Sequence, residues 1–310
     1  MKKLILVIFV MAVILAALPF ITGNLEKKEL NDETRKGLGL KFLQLTDGMV
    51  HYDISGPKTG EVVVLVHGNA APYFSWDKNM DALTGAGFRV IRYDLYGFGY
   101  SDRPDVDYTR ALYDRQLMEL LEKLNISGPI NLVGTSQGGS IAVYFTATHP
   151  EKVKKLALLS PFINILPMKA IITLIKIPGI GEYLGSVLLD RVNTNYPEKV
   201  FANPKAIPAE YTENYSKQLT YKGFKRARIS NLRGDSLADF TAQYEEVGKT
   251  KIPVLFTWGT ADKVIMTDSV ANIKNAMPSV VYHEIEGGGH LVHYENPAPV
   301  NKILVTFLKK

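Results

Sequence analysis

Six runs of consecutive apolar residues recur along the chain with helix-like stretches between most of them: EVVVLVHG (61–68), FRVIRYDL (88–95), INLVG (130–134), VKKLALLS (153–160), IPVLFTWG (252–259) and SVVYHEI (279–285). A strand solvated on one face alternates polar with apolar residues, so continuous Val/Ile/Leu runs require strands buried on both faces. Runs of this kind separated by helices imply a mainly parallel sheet covered by helices on each side. KFLQLTDGMVHYDI (41–54) adds an expected hairpin around Asp47-Gly48. The expected fold class is therefore α/β, a mostly parallel doubly wound sheet, and ligands of such sheets lie beyond the carboxyl ends of the strands.

The alternation stops between Pro161 and about Glu245, where helix-like segments take over, beginning with the apolar MKAIITLIKIPGIGEYLGSVLL (168–189). An insertion at that point falls over the carboxyl edge of the sheet. We expect a helical cap at 161–245 that covers the substrate and excludes water, with plain helical decoration as the alternative. The core is then split into 24–160 and 246–310. Within the insertion KGFKRAR (222–228) reads as a solvated helix face, with anionic headgroups as the alternative partner.

Residues 1–23 hold an uncharged apolar stretch from Leu4 to Ile21 behind Lys2 and Lys3. It is near the minimum length of a bilayer span and no clean A-x-A site follows, which favours an uncleaved signal anchor over a cleaved signal peptide. With the lysines kept cytoplasmic, the expectation is a membrane-anchored chain with an extracytoplasmic catalytic domain, or a secreted one if 1–23 is removed. The net charge of +5 includes those two lysines. About +3 remains on the rest, too little to argue for nucleic acid. The absence of cysteine excludes disulfides, thiolate metal sites and a cysteine nucleophile.

INLVGTSQGGSIAVYF (130–145) passes from strand-like to helix-like sequence through a knot of small residues centred on Ser136. Gly134 and Gly138, two residues to either side, let neighbouring backbone approach a serine held in a strained turn. The spacing is that of the G-x-S-x-G nucleophile elbow and fits neither phosphate-loop pattern. A purely structural turn remains the alternative for the motif taken alone.

A serine hydroxyl is a poor nucleophile near neutral pH, so it needs a histidine base and a carboxylate that orients the base. FTWGTADKVI places Asp262 in the loop after a strand, and EGGGHLVHYENP places His290 after the last strand behind three glycines. The order Ser136, Asp262, His290 is the one expected of this elbow. His293 is expected to point into packing, Glu284 and Glu286 to form structural salt bridges, and Asp94 to serve structure because its strand precedes the elbow. Acyl transfer also needs amide donors for the oxyanion. In VLVHGNAAPYFSW the turn after His67-Gly68 can present the Asn69 N–H, the Gln137 N–H supplies the second donor, and His67 is expected to be structural.

These motifs, LVHGNAAPYFSW, YDLYGFGYSDRP, LVGTSQGGS, TWGTADKV and GGGHLVHYENP, resemble the α/β-hydrolase fold superfamily, in its branch with a helical cap after the sixth strand. The resemblance covers 40–160 and 246–310. It implies Ser136 as nucleophile, Asp262 as acid, His290 as base and the Asn69 and Gln137 amides as oxyanion hole, with no metal and no cofactor. Many relatives have proline two residues after the His-Gly pair, where Ala70 stands here. Dehalogenase and epoxide-hydrolase relatives carry aspartate at the elbow, because a serine ether would be a dead end. Carbon–carbon bond hydrolase and haloperoxidase-like relatives often follow the serine with methionine, whereas this chain has Gln137. The expectation is a serine hydrolase of carboxylic esters, extended to lipid-like acyl chains by the apolar cap, with a small-molecule or lipid-like ester as substrate. The alternatives are a carbon–carbon bond or other acyl hydrolase with the same triad, or a non-catalytic binding protein of the same fold.

Overall fold

The structure, a computed structural model, describes residues 2–22, 24–164 and 173–310, with the side chains of 18–22 outside the description. Helices α1 (Lys2–Thr22) and α2 (Asp32–Leu38) lead into the hairpin of β1 (Lys41–Leu45) and β2 (Gly48–Ser55), which turns at Asp47-Gly48 as expected. Strand β3 (Val62–Val66), helix α3 (Asp77–Gly85), strand β4 (Arg89–Tyr93) and helix α4 (Arg110–Lys123) follow. Then come β5 (Ile130–Thr135), α5 (Gln137–Thr148) and β6 (Val153–Leu159). The chain next runs through α6 (Ile180–Thr194), α7 (Tyr196–Val200), α8 (Ala209–Leu219), α9 (Phe224–Arg233) and α10 (Thr241–Lys249). It closes with β7 (Val254–Gly259), α11 (Thr267–Ala276), β8 (Val281–Ile285), α12 (Val292–Glu295) and α13 (Pro297–Lys309).

All six apolar runs form strands of one eight-stranded sheet in the order β1-β2-β4-β3-β5-β6-β7-β8. The hairpin joins antiparallel through β2 and β4, and every pairing from β4 to β8 is parallel. Val63 to Val66, Leu132, Val133 and Leu156 to Leu159 have no exposed surface, as a sheet covered on both faces requires. One face packs with α4, α5 and α10, the other with α3 and α13. The register that pairs Val66 with Gly134 sets the turn after β3 beside the turn after β5, both at the carboxyl edge.

The segment between β6 and β7 holds helices and, among the described residues, no strand. Residues 165–172, which include the start of the apolar stretch at 168–189, lie outside the described residues. Helix α10, which straddles residue 245, packs against α5 and α11 of the core.

Helix α1 lies against α6 and leaves its apolar side chains exposed, Leu4 at 64% and Leu15 at 62%. Among the described residues no helix is long and apolar enough to cross a membrane. The expected span 4–21 is only partly within them, because the side chains of 18–22 are outside the description.

Candidate active site

The strand-to-helix turn at Ser136 is as tight as its glycines suggest. Ser136 stands at φ 52°, ψ −124°, in a region that a side chain enters only when its surroundings hold it there. Its amide donates to Leu159 O at 3.2 Å, and its carbonyl accepts from Phe162 N at 3.1 Å, so β6 and the segment after it fix the turn. A Cβ on Gly134 would lie 2.4 Å from Gly138 O, and one on Gly138 would lie 2.3 Å from both His67 O and Val66 O. Both glycines are therefore required by close backbone approach.

Ser136, His290 and Asp262 come together in one hydrogen-bonded chain. Ser136 Oγ lies 2.9 Å from His290 Nε2, and His290 Nδ1 lies 2.9 Å from Asp262 Oδ2. The other carboxylate oxygen of Asp262 accepts from the amides of Val264 at 2.7 Å and Ile265 at 2.9 Å. Burial by itself would raise the Asp262 carboxyl, but the adjacent His290 and these amide donors hold it below the ordinary carboxylate value. Asp262 is thus a carboxylate near neutral pH, which makes Nδ1 of His290 the protonated nitrogen and leaves Nε2 free to accept from Ser136. The glycines before His290 have a steric purpose. Gly287 adopts φ 68°, and a Cβ on Gly289 would lie 2.5 Å from Ala202 N.

The turn after β3 faces Ser136 directly, since a Cβ on Gly68 would lie 2.9 Å from that of Ser136. Among the described residues neither the Asn69 nor the Gln137 amide donates to another protein group. Ala70 adopts φ 61°, which a proline ring cannot reach, so the turn takes a path here that a proline at this position would not allow. The insertion grips this turn instead. Gln218 Nε2 on α8 donates to Ala70 O at 3.1 Å, and Arg228 Nη1 on α9 donates to Asn69 Oδ1. One turn further along α9, Asn231 and Gln137 exchange side-chain amide bonds, with Gln137 Nε2 donating to Asn231 Oδ1 at 2.8 Å. A single helix therefore touches both residues whose amides are the expected oxyanion donors.

The other candidates fall elsewhere. His67 donates through Nδ1 to Gly68 O at 2.7 Å and accepts at Nε2 from Leu95 N at 2.9 Å, which engages both ring nitrogens in the fold. Asp94 is fully buried and accepts from His51 Nδ1, Tyr73 N and Tyr100 N, shaping the loop after β4. His293 packs against Trp76 with ring centroids 4.3 Å apart and planes tilted by 36°, and burial pulls its imidazole down to about 3. Glu284 and Glu286, expected to form salt bridges, make no ion pair among the described residues: Glu284 accepts from Tyr282 OH, and Glu286 is exposed at the end of the edge strand. The solvated-face reading of 222–228 holds for Lys222 and fails for Arg228, which is 5% exposed. Gln218, Arg228 and Asn231 carry no sequence signal beyond their places in polar helical stretches. Among the described residues no cluster of His, Asp or Glu could hold a metal ion.

A sequence profile of the alpha/beta hydrolase fold family matches residues 61–297. The chain is 29% identical over 296 residues to 2-hydroxy-6-oxononadienedioate/2-hydroxy-6-oxononatrienedioate hydrolase 1 of Pseudomonas putida, covering 86% of this chain and 96% of that protein. Among solved structures it resembles a bromoperoxidase from Bacillus anthracis, with a TM-score of 0.75 and 22% identity over 87% of this chain and 100% of that one. It resembles an enol-lactonase from Burkholderia xenovorans LB400 with a TM-score of 0.69, 22% identity and the same coverage. Those two likenesses establish the fold, and the profile match across most of the core establishes the family: the chain belongs to the alpha/beta hydrolase fold family.

Proposed function

We propose that this protein is a serine hydrolase of carboxylic esters, with Ser136 as nucleophile, His290 as base, Asp262 as orienting acid and the Asn69 and Gln137 amides as oxyanion donors. The observation that carries the reading is the unbroken chain from Ser136 Oγ through His290 to Asp262. His290 Nε2 takes the hydroxyl proton as Oγ attacks the ester carbonyl, and the two amides receive the negative oxygen. Nε2 then returns the proton to the departing alkoxide. A water deprotonated by the same nitrogen releases the acid and restores the serine. Throughout, Asp262 keeps the proton on Nδ1 and stabilises the imidazolium.

Ester cleavage needs nothing beyond these groups, because an alkoxide leaves once His290 protonates it. Carbon–carbon bond hydrolysis is a second reading, favoured by the activity for which the Pseudomonas putida relative is named. It demands more, since the leaving carbon must first be made electron-accepting by moving a proton onto the substrate. The lipid-like and membrane parts of the proposal rest on exposed apolar surface: Leu4 to Leu15 of α1, and Ile180, Tyr183, Val187 and Leu188 along the neighbouring α6.

One assay tests the substrate assignment. The full chain recovered from membranes is given p-nitrophenyl esters from acetate to octanoate and, separately, a 2-hydroxy-6-oxo-dienedioate. We expect ester turnover, with kcat/KM rising up to about fourfold per methylene, as burial of about 0.8 kcal/mol each would give. Turnover of the dienedioate with no ester hydrolysis would replace the proposal with the second reading. A maximum at acetate would remove the lipid-like part, and recovery of the chain without membranes would remove the anchor.

A further inference from the structure

Helix α9 carries four cations, and three of them have carboxylate partners: Lys225 with Asp190, Arg226 with Asp105 and Arg233 with Glu182. The fourth, Arg228, is the buried one, and among the described residues it forms no ion pair. Its Nη1 donates to Asn69 Oδ1, its Nε is buried without an acceptor, and its guanidinium carbon lies 6.0 Å from the Phe98 ring centre. A guanidinium does not shed its proton in a protein, so a full positive charge is held out of water here with unused donors beside it. Buried charges are ordinarily paired. The residue it does touch, Asn69, follows Gly68, which lies directly against Ser136.

We propose that Arg228 is a carboxylate-binding subsite beside the oxyanion turn, so that the preferred substrates are esters carrying a free carboxylate. The inference rests on the ester-hydrolase reading of the same site. A planar guanidinium with unused N–H groups matches a carboxylate's two oxygens, and its single charge balances a carboxylate rather than a phosphate dianion. The carboxylate offsets the desolvated charge only while substrate is bound, and so contributes to discrimination between substrates.

The test compares mono-p-nitrophenyl glutarate with its neutral methyl ester. The wild type is expected to favour the free acid at least about tenfold in kcat/KM, mostly through KM. Arg228→Met is expected to lower that ratio by about tenfold or more, and Arg228→Lys to retain part of it. A wild type that prefers the neutral ester overturns the proposal, whatever the variants do. A ratio unchanged in Arg228→Met while both rates fall also overturns it, and leaves Arg228 as a positioning residue for Asn69. If neither ester is cleaved, the ester reading has failed separately, and the subsite is judged by fluorophosphonate labelling of Ser136. Glutarate should slow the labelling and glutaramide should not, and equal labelling rates with the two overturn the subsite.

Discussion

Ser136→Ala is expected to lower ester turnover by about four to six powers of ten and to leave the fold intact, as read by steady-state kinetics and circular dichroism on one preparation. The size follows from how such a site works: nucleophile, base and acid act as a unit, so losing one removes most of what the three achieve together. The fold should survive because the strain at φ 52° is held by Gly134, Gly138 and the bonds from β6, none of which uses the hydroxyl. The one bond lost is that to His290 Nε2. A variant that kept more than about a hundredth of wild-type turnover would remove Ser136 from the chemistry.

The two neighbouring histidines should separate almost as widely. His290→Ala is expected to lose about as much as Ser136→Ala, because Nε2 is the only proton acceptor bonded to the serine among the described residues. His293→Ala should keep turnover within about tenfold, because its ring sits against Trp76 and away from the serine. Its effect belongs on stability, with a definite pH sign. Burial holds the folded-state imidazole at about 3, whereas the unfolded one titrates near 6.5. The unfolded chain therefore binds the proton first. The wild type should be most stable above about pH 6.5 and lose stability as pH falls toward 3, and His293→Ala should flatten that part of the dependence. Equal losses of turnover in the two variants would mean that the base has been misplaced.

The parts of this molecule legible in its sequence are those where physics leaves one answer per residue pattern. A run such as VVVLV (62–66) can be buried on both faces only as an inner strand, and six such runs with helices between them specify a parallel sheet. The glycines around Ser136 were readable for the same reason, since close backbone approach at 134 and 138 admits no side chain. The departure at Ala70 was visible too, but the path of the turn was not, because a backbone angle of +61° leaves no mark on an alanine.

The insertion was the opaque part. KGFKRAR has the same charge pattern whether an arginine points to water or into the core, and only tertiary packing distinguishes Arg226, paired with exposed Asp105, from buried Arg228. The amide pair of Gln137 and Asn231 joins residues 94 apart, a separation at which composition and periodicity say nothing. The grip of α8 and α9 on the Asn69 turn was hidden likewise, although it bears directly on the oxyanion donors.

The central claim, that Ser136 carries the acyl group, is tested most directly by trapping the intermediate. The wild-type protein is mixed with a p-nitrophenyl ester, quenched in acid during turnover and digested for mass spectrometry. The expected result is the mass of the acyl group on the peptide containing Ser136, formed in step with a burst of p-nitrophenol and absent from Ser136→Ala. Steady turnover with no acylated peptide, or with the acyl group on another residue, would contradict it.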